Sequence, residues 1–126
     1  MKKNLMILSH ALSDIRQLRR INHRYDISLV EGSLNALLLL KKIPVDVILM
    51  REGTPEMDAI EFLMNVHDLH PKILTVVLCR ESGSASATLP EMPSAFFVKE
   101  PIDENALDRF FEMYAQRIQS QPRALF

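Results

Sequence analysis

The hydrophobic positions fall into short continuous runs, separated by segments in which apolar residues recur at helical spacing. The clearest run, residues 45–50, is almost wholly apolar and rich in β-branched side chains, which is typical of a parallel strand buried on both faces. It ends at Arg51, and Gly53 and Pro55 then indicate a loop. The next segment has helical spacing and contains Met57, Ile60, Phe62 and Leu63. This run predicts the central strand of a sheet.

The rest of the chain repeats this alternation of strand and helix. Apolar runs predict strands at 4–8, 25–30, 74–79 and 95–99, and helical spacing predicts helices at about 12–22, 33–42, 58–67 and 103–119. Between 81 and 94, Gly83, Pro90 and Pro93 allow only a short or broken fourth helix. Five alternations predict an α/β fold, a doubly wound five-stranded parallel sheet with helices on both faces.

Two helices carry specific expectations about their faces. Ser33 is predicted to cap the helix 33–42, and Leu34, Ala36, Leu37 and Leu38 are predicted to face inward. The closing helix is predicted to bury an apolar stripe made of Leu107, Phe110, Phe111, Tyr114 and Ile118.

Composition and length narrow the class of protein. A chain of 126 residues fits one domain, which we assign to 1–120, with a C-terminal tail at 121–126. The net charge of −1 gives no overall attraction to nucleic acid or to a membrane. The single cysteine, Cys79, suits a reducing compartment, and the apolar runs are too short for a signal peptide or a membrane span. These features predict a cytoplasmic protein.

The loop after the central strand resembles that of response-regulator receiver domains, the CheY-like family. Residues 54–59, Thr-Pro-Glu-Met-Asp-Ala, stand where that family has a Met-Pro-Gly-Met-Asp-Gly-like loop. The resemblance implies a flavodoxin-like fold with strand order 2-1-3-4-5 and a role in two-component, phosphorelay signal transduction. It also implies that the phosphate-accepting aspartate of the family corresponds to Arg51.

All five positions that carry the family's phosphorylation chemistry differ in this chain. The acidic pair that holds Mg²⁺ falls on Ser9 and His10, the acceptor on Arg51, the Thr or Ser on Cys79, and the Lys on Glu100. Mg²⁺ prefers oxygen ligands that include carboxylates, and a guanidinium is permanently charged. The pattern indicates a degenerate pseudo-receiver that is not an enzyme and holds no metal or cofactor.

The exchange at Arg51 and Glu100 reverses the signs of the family's Asp and Lys. One interpretation is a partly buried ion pair that closes the pocket, and the other is a decayed site with both side chains in solvent. Lys99 lies beside Glu100 and should point to the other face of its strand. His10 and Cys79 alone do not make a zinc site.

The resemblance also identifies a candidate interaction face. The residues assigned to it are Phe96, Phe97, Lys99, Phe111 and Tyr114, and Phe97 matches the switching aromatic of receivers. The predicted occupant is a protein partner in a signalling pathway or a second copy of the chain, which would form a homodimer. Nucleic acid and membrane are not predicted partners.

Two other functions remain open from the sequence. The chain is an active receiver if Glu52, the nearest carboxylate, or Asp58 in the loop accepts phosphate. It is an anion sensor if Arg51, His10 and Ser9 hold a small phosphate, although no Gly-rich phosphate loop follows the first strand.

Overall fold

The structure is a computed structural model that describes residues 3–8, 23–51, 57–79, 94–99 and 105–120. Within them lie five strands and three helices, which we number in chain order. The strands are β1 (Lys3–Leu8), β2 (Tyr25–Val30), β3 (Val47–Arg51), β4 (Leu74–Cys79) and β5 (Ala95–Lys99), and the helices are α1 (Ser33–Leu40), α2 (Ala59–Leu69) and α3 (Ala106–Ser120).

The strands form one parallel sheet in the order β2-β1-β3-β4-β5. Consecutive registers tie the strands to one another, with Leu5 opposite Val47 and Val47 opposite Leu74. Asp46 anchors the amino ends of these three strands: its Oδ2 accepts a hydrogen bond from the Asn4 N–H at 2.7 Å, and its carbonyl accepts one from the Leu74 N–H at 3.1 Å. The predicted fold class and strand order are confirmed.

Side chains alternate between two cores because successive residues of a strand point to opposite faces. In β3, Val47 and Leu49 belong to the first core, while Ile48 and Met50 belong to the second. All four are 0% exposed, as expected for a strand buried on both faces. Residues of α1 and α2 pack on the second core, and α3 packs on the first through Phe110.

The predicted strands agree with the structure to within two residues at each end. The helices agree less well, since the first described one ends at Leu40 rather than 42, and the last begins at Ala106 rather than 103. The helix predicted at 12–22 and the interval 81–93 lie outside the described residues, as does the tail at 121–126.

The start of α1 corrects the sequence analysis. Gly32, not Ser33, is the N-cap, and no side chain caps the helix. Gly32 has φ 84° and ψ 144°, a region of backbone space that is essentially restricted to glycine. Ser33 is instead a buried residue of the first turn.

The predicted inward face of α1 is also partly wrong. Ala36 is buried and Leu37 is half-buried, but Leu34 is 52% and Leu38 57% exposed. The run of leucines is apolar on every side, so its sequence pattern does not identify the face that meets the sheet.

A cluster of side chains fastens α3 to β1 and β2. The Tyr25 hydroxyl donates a 2.7 Å hydrogen bond to Asp108 Oδ1, and Arg24 forms an ion pair with the other oxygen of that carboxylate. The Phe111 ring stacks on Tyr25 with centroids 6.4 Å apart, and Lys3 Nζ lies 4.5 Å from the Phe111 centroid. Charge, hydrogen bonding and ring contacts therefore hold the helix at one place on the sheet.

We expect Gly32→Ala to destabilise the fold by about 1–3 kcal/mol, because a Cβ is not tolerated at this φ and ψ. Urea unfolding followed by circular dichroism measures the change. Asp68→Ala, at an exposed position of α2, is the matched control and should stay within about 0.5 kcal/mol of the parent chain. Equal midpoints for the two variants would contradict the backbone argument.

Tyr25 should make the fold sensitive to alkali. Burial, with the hydrogen bond to Asp108 as a second cause, raises the pKa of the Tyr25 hydroxyl well above its usual range. Above about pH 10 the unfolded chain loses this proton and the folded chain keeps it, so stability should fall by up to about 1.4 kcal/mol per pH unit.

Tyr25→Phe should flatten this alkaline decline and, near neutral pH, lower stability by about 1–2 kcal/mol through the lost hydrogen bond. Urea midpoints between pH 8 and pH 11, about the range in which a free tyrosine titrates, measure both effects. Tyr114→Phe is the comparison, since burial alone raises the pKa of Tyr114. An unchanged alkaline slope in Tyr25→Phe would contradict the assignment.

Candidate functional site

The carboxyl ends of β3, β4 and β5 bring two predicted site positions, Arg51 and Cys79, and the neighbouring Lys99 to the same end of the sheet. Arg51 is the last residue of β3 and lies opposite Leu78 of β4. Cys79 is the last residue of β4 and lies opposite Lys99, the last residue of β5. Sites in open parallel sheets are built at this edge. Arg51 and Cys79 therefore lie at the end of the sheet where such sites are built, and their assignment to a degenerate phosphorylation site stays a prediction.

Arg51 is held at the end of a rigid strand. The residues before it are fully buried, whereas Arg51 itself is partly buried. A guanidinium has five N–H donors and no acceptor, so Arg51 offers no ligand atom to a cation. Its planar donor geometry suits carboxylates and other anions.

Cys79 behaves as a small apolar side chain. It is 1% exposed and packs in the second core, and its Sγ lies 3.7 Å from the Val77 carbonyl oxygen. A thiol is a weak hydrogen-bond donor, and a buried thiol in apolar surroundings is chemically inert. The position therefore supplies packing rather than a strong hydrogen bond to a phosphate.

The remaining predicted site residues lie outside the described part of the chain. They are Ser9, His10, Glu52 and Glu100. The ion pair between Arg51 and Glu100 therefore stays a hypothesis. Asp58, the alternative acceptor, is exposed at the N-cap of α2, where its carbonyl accepts the Phe62 N–H at 2.9 Å.

The residues assigned to the interaction face divide between the two sides of the sheet. Phe96 is 6% exposed and meets Phe110 in the first core, with ring centroids 5.3 Å apart. Phe97 is half-buried against the second core, on the opposite side. Phe111 and Tyr114 are half-buried on α3 against the first core. Phe97 and Tyr114 keep exposed surface, whereas Phe96 mainly fills the interior.

An open cavity that no sequence pattern predicted lies at the opposite end of the sheet, by the amino ends of β3 and β4. Its volume is about 390 Å³, and its lining includes Asp46, Lys72 and Phe111. His70 also lines it, and its Nε2 lies 3.1 Å from the Leu40 carbonyl oxygen. The only sequence signal was the His70-Pro71 pair, which predicts a loop and no more.

Residues 3–8, 23–51, 57–79, 94–99 and 105–120 contain neither a metal-binding cluster nor a membrane-spanning helix. Across these ranges no three His, Cys, Asp or Glu side chains are grouped so that they could hold a metal ion. None of the three helices combines the length and the apolar character that crossing a bilayer requires.

Solved structures of receiver domains have the same fold. A two-component transcriptional regulator AraC from Clostridium phytofermentans is 22% identical with a TM-score of 0.67, and covers 95% of this chain and 100% of its own. A CheY-like receiver domain protein from Methanospirillum hungatei is 14% identical with a TM-score of 0.74, at coverages of 96% and 100%.

The signal receiver domain of a Luxo repressor protein from Vibrio parahaemolyticus is 15% identical with a TM-score of 0.71, and covers 94% of each chain. No protein-family model matches the sequence, and no curated protein matches it. The likeness therefore lies in the fold.

The burial of Cys79 predicts a protected thiol. In the folded protein we expect a soluble aromatic disulfide reagent to react at least about 100-fold more slowly than in urea, because the chain must open locally first. The absorbance of the released thiolate measures both rates. Rapid reaction of the folded protein would contradict the burial, and Cys79→Ser supplies the background rate.

Proposed function

We propose that this chain is a pseudo-receiver: a receiver-like domain of two-component, phosphorelay signalling that takes no phosphate and acts through protein interactions in the cytoplasm. The observation that carries the proposal is the placement of Arg51 at the carboxyl end of β3, the position that the loop resemblance assigns to the phosphate acceptor. The receiver fold of the solved structures supports the signalling class.

The donor set around that position does not fit Mg²⁺. Mg²⁺ requires near-octahedral oxygen ligation, usually with one or two carboxylates. The corresponding residues are Ser9, His10 and Arg51, which offer a hydroxyl, an imidazole and a guanidinium. With no carboxylate at the acceptor position to attack the phosphorus of a phosphate donor, and no ligand set for the metal that would neutralise the phosphoryl oxygens, aspartyl-phosphate formation lacks its nucleophile and its charge stabilisation.

The interaction role rests on surfaces rather than on a reaction. Phe97 on one side of the sheet, and Phe111 and Tyr114 on the other, are half-buried, so each keeps part of an aromatic ring exposed. Aromatic residues of this kind commonly anchor protein interfaces. The net charge of −1 gives nucleic acid no general attraction, so the proposed occupant is a protein of the signalling pathway or a second copy.

The deciding experiment is an amide NMR titration with Mg²⁺ and then with beryllofluoride, which mimics an aspartyl phosphate. We expect the amides of Arg51, Leu78 and Cys79 to keep their positions, because Ser9 and His10, which stand where the family has its metal-binding acidic pair, carry no carboxylate. Treatment with acetyl phosphate, followed by intact-mass analysis, should likewise show no added phosphoryl group.

The matched control restores carboxylates in the same chain. The triple variant Ser9→Asp, His10→Asp, Arg51→Asp should gain amide shifts with Mg²⁺, which shows that the assay can detect a site at this edge. Shifts in the parent chain that require Mg²⁺ would instead support an active receiver. Shifts with inorganic phosphate in the absence of metal would support an anion sensor. Either result overturns the proposal.

A further inference from the structure

Helix α1 presents an apolar ridge to solvent. Leu34 is 52% and Leu38 57% exposed, and they stand one turn apart on the same side of the helix. The side that meets the core contributes Ser33, Ala36 and Leu40. Large aliphatic side chains paired in this way form a continuous surface rather than isolated exposed residues.

Charged residues of opposite sign flank the two ends of this ridge. Glu31 lies two residues before the start of α1 and is exposed. Lys41 and Lys42 directly follow the last residue of α1 and are also exposed. Along the chain the order is negative, apolar, positive, and the helix between the charges is about 12 Å long at a rise of 1.5 Å per residue.

This order is complementary to itself in one orientation. When two such helices pack antiparallel about a two-fold axis, leucines face leucines, and Glu31 of each copy lies toward Lys41 and Lys42 of the other. A parallel arrangement would place like charges together. Two-fold contacts use the same patch on both subunits, so a self-complementary patch is the feature that they require.

We propose that α1 is a homodimerisation surface, in which a second copy of this chain packs antiparallel on the Leu34 and Leu38 ridge. The charge pattern favours a second copy over a partner of uniform charge, which would leave one end of the ridge opposed by a like charge. The ridge is short, so the buried area falls below the roughly 800 Å² per partner of a standard stable interface. The dimer is therefore weak and depends on concentration.

This surface is separate from the face assigned to Phe97. Phe97 lies on β5, at one edge of the sheet, whereas the chain enters α1 from β2, at the opposite edge. A dimer through α1 leaves the Phe97 face open to another protein. The dimer inference does not rest on the proposed function, so either one can be wrong while the other holds.

Sedimentation velocity of the full chain, from micromolar to millimolar concentration, tests the proposal. The weight-average mass should rise from the 14.5 kDa of the monomer toward twice that value. Leu34→Ser with Leu38→Ser should weaken the association at least about tenfold, since the ridge is its centre. Met113→Ser, which changes an exposed apolar residue of α3, is the matched control and should leave the association unchanged.

The orientation is tested by charge reversal. Glu31→Lys alone, and Lys41→Glu with Lys42→Glu, should each weaken self-association. An equimolar mixture of these two variants should associate more strongly than either alone, because the opposite charges then meet across the two-fold axis. Circular dichroism checks that every variant is folded, as expected for changes at exposed positions.

A parent chain that stays monomeric throughout this range overturns the proposal. Association that is unaffected by the leucine variants also overturns it and assigns the contact elsewhere, with the Phe97 face as the next surface to test. A mixture that associates no better than its components excludes the antiparallel arrangement.

Discussion

Everything in this fold depends on burying the central strands on both faces. Val47 to Met50 have no measurable exposure, so the two cores are separated by the backbone of β3 and its neighbours. A parallel strand can be buried in this way only when helices cover both sides, which α1 and α2 do on one face and α3 on the other. The carboxyl edge gains its rigidity from this packing. The position of Arg51 is therefore set by the four fully buried residues that precede it in β3.

A rigid position with a permanent charge has a different use from the one that receivers make of it. An aspartate changes from a negative carboxylate to a more highly charged acyl phosphate, and so has two states that a fold can read. Arginine has one. Under the proposed function, Arg51 would fix the domain in a single state, and information would enter it by binding rather than by chemistry. The apolar burial of Cys79, in the adjacent strand, fits the same interpretation.

The strands were predictable and several side-chain placements were not. Residues 74–79 form a strand as predicted and all six are buried, because a parallel strand buried on both faces is a continuous apolar run whatever its neighbours are. Helix α1 has no such asymmetry: its leucines surround the axis, so only the tertiary fold selects Ala36 and Leu40 as the buried side. Gly32 was not predicted as the N-cap, because the next residue, Ser33, is of a type that caps helices more often. The cavity beside His70 depends on residues brought together from distant parts of the chain, which no local pattern records.

The contact between Tyr25 and Asp108 joins residues 83 positions apart. A chain made from its amino end has completed β1, β2 and β3 long before Asp108 exists, and during synthesis these strands lack the helix that covers their first core. Nonlocal pairing of this kind is slow to form, and partly built sheets expose strand edges. The cluster that fastens α3 thus forms only after residues 105–120 have been made, later than the pairing of β1 with β2 and β3 becomes possible.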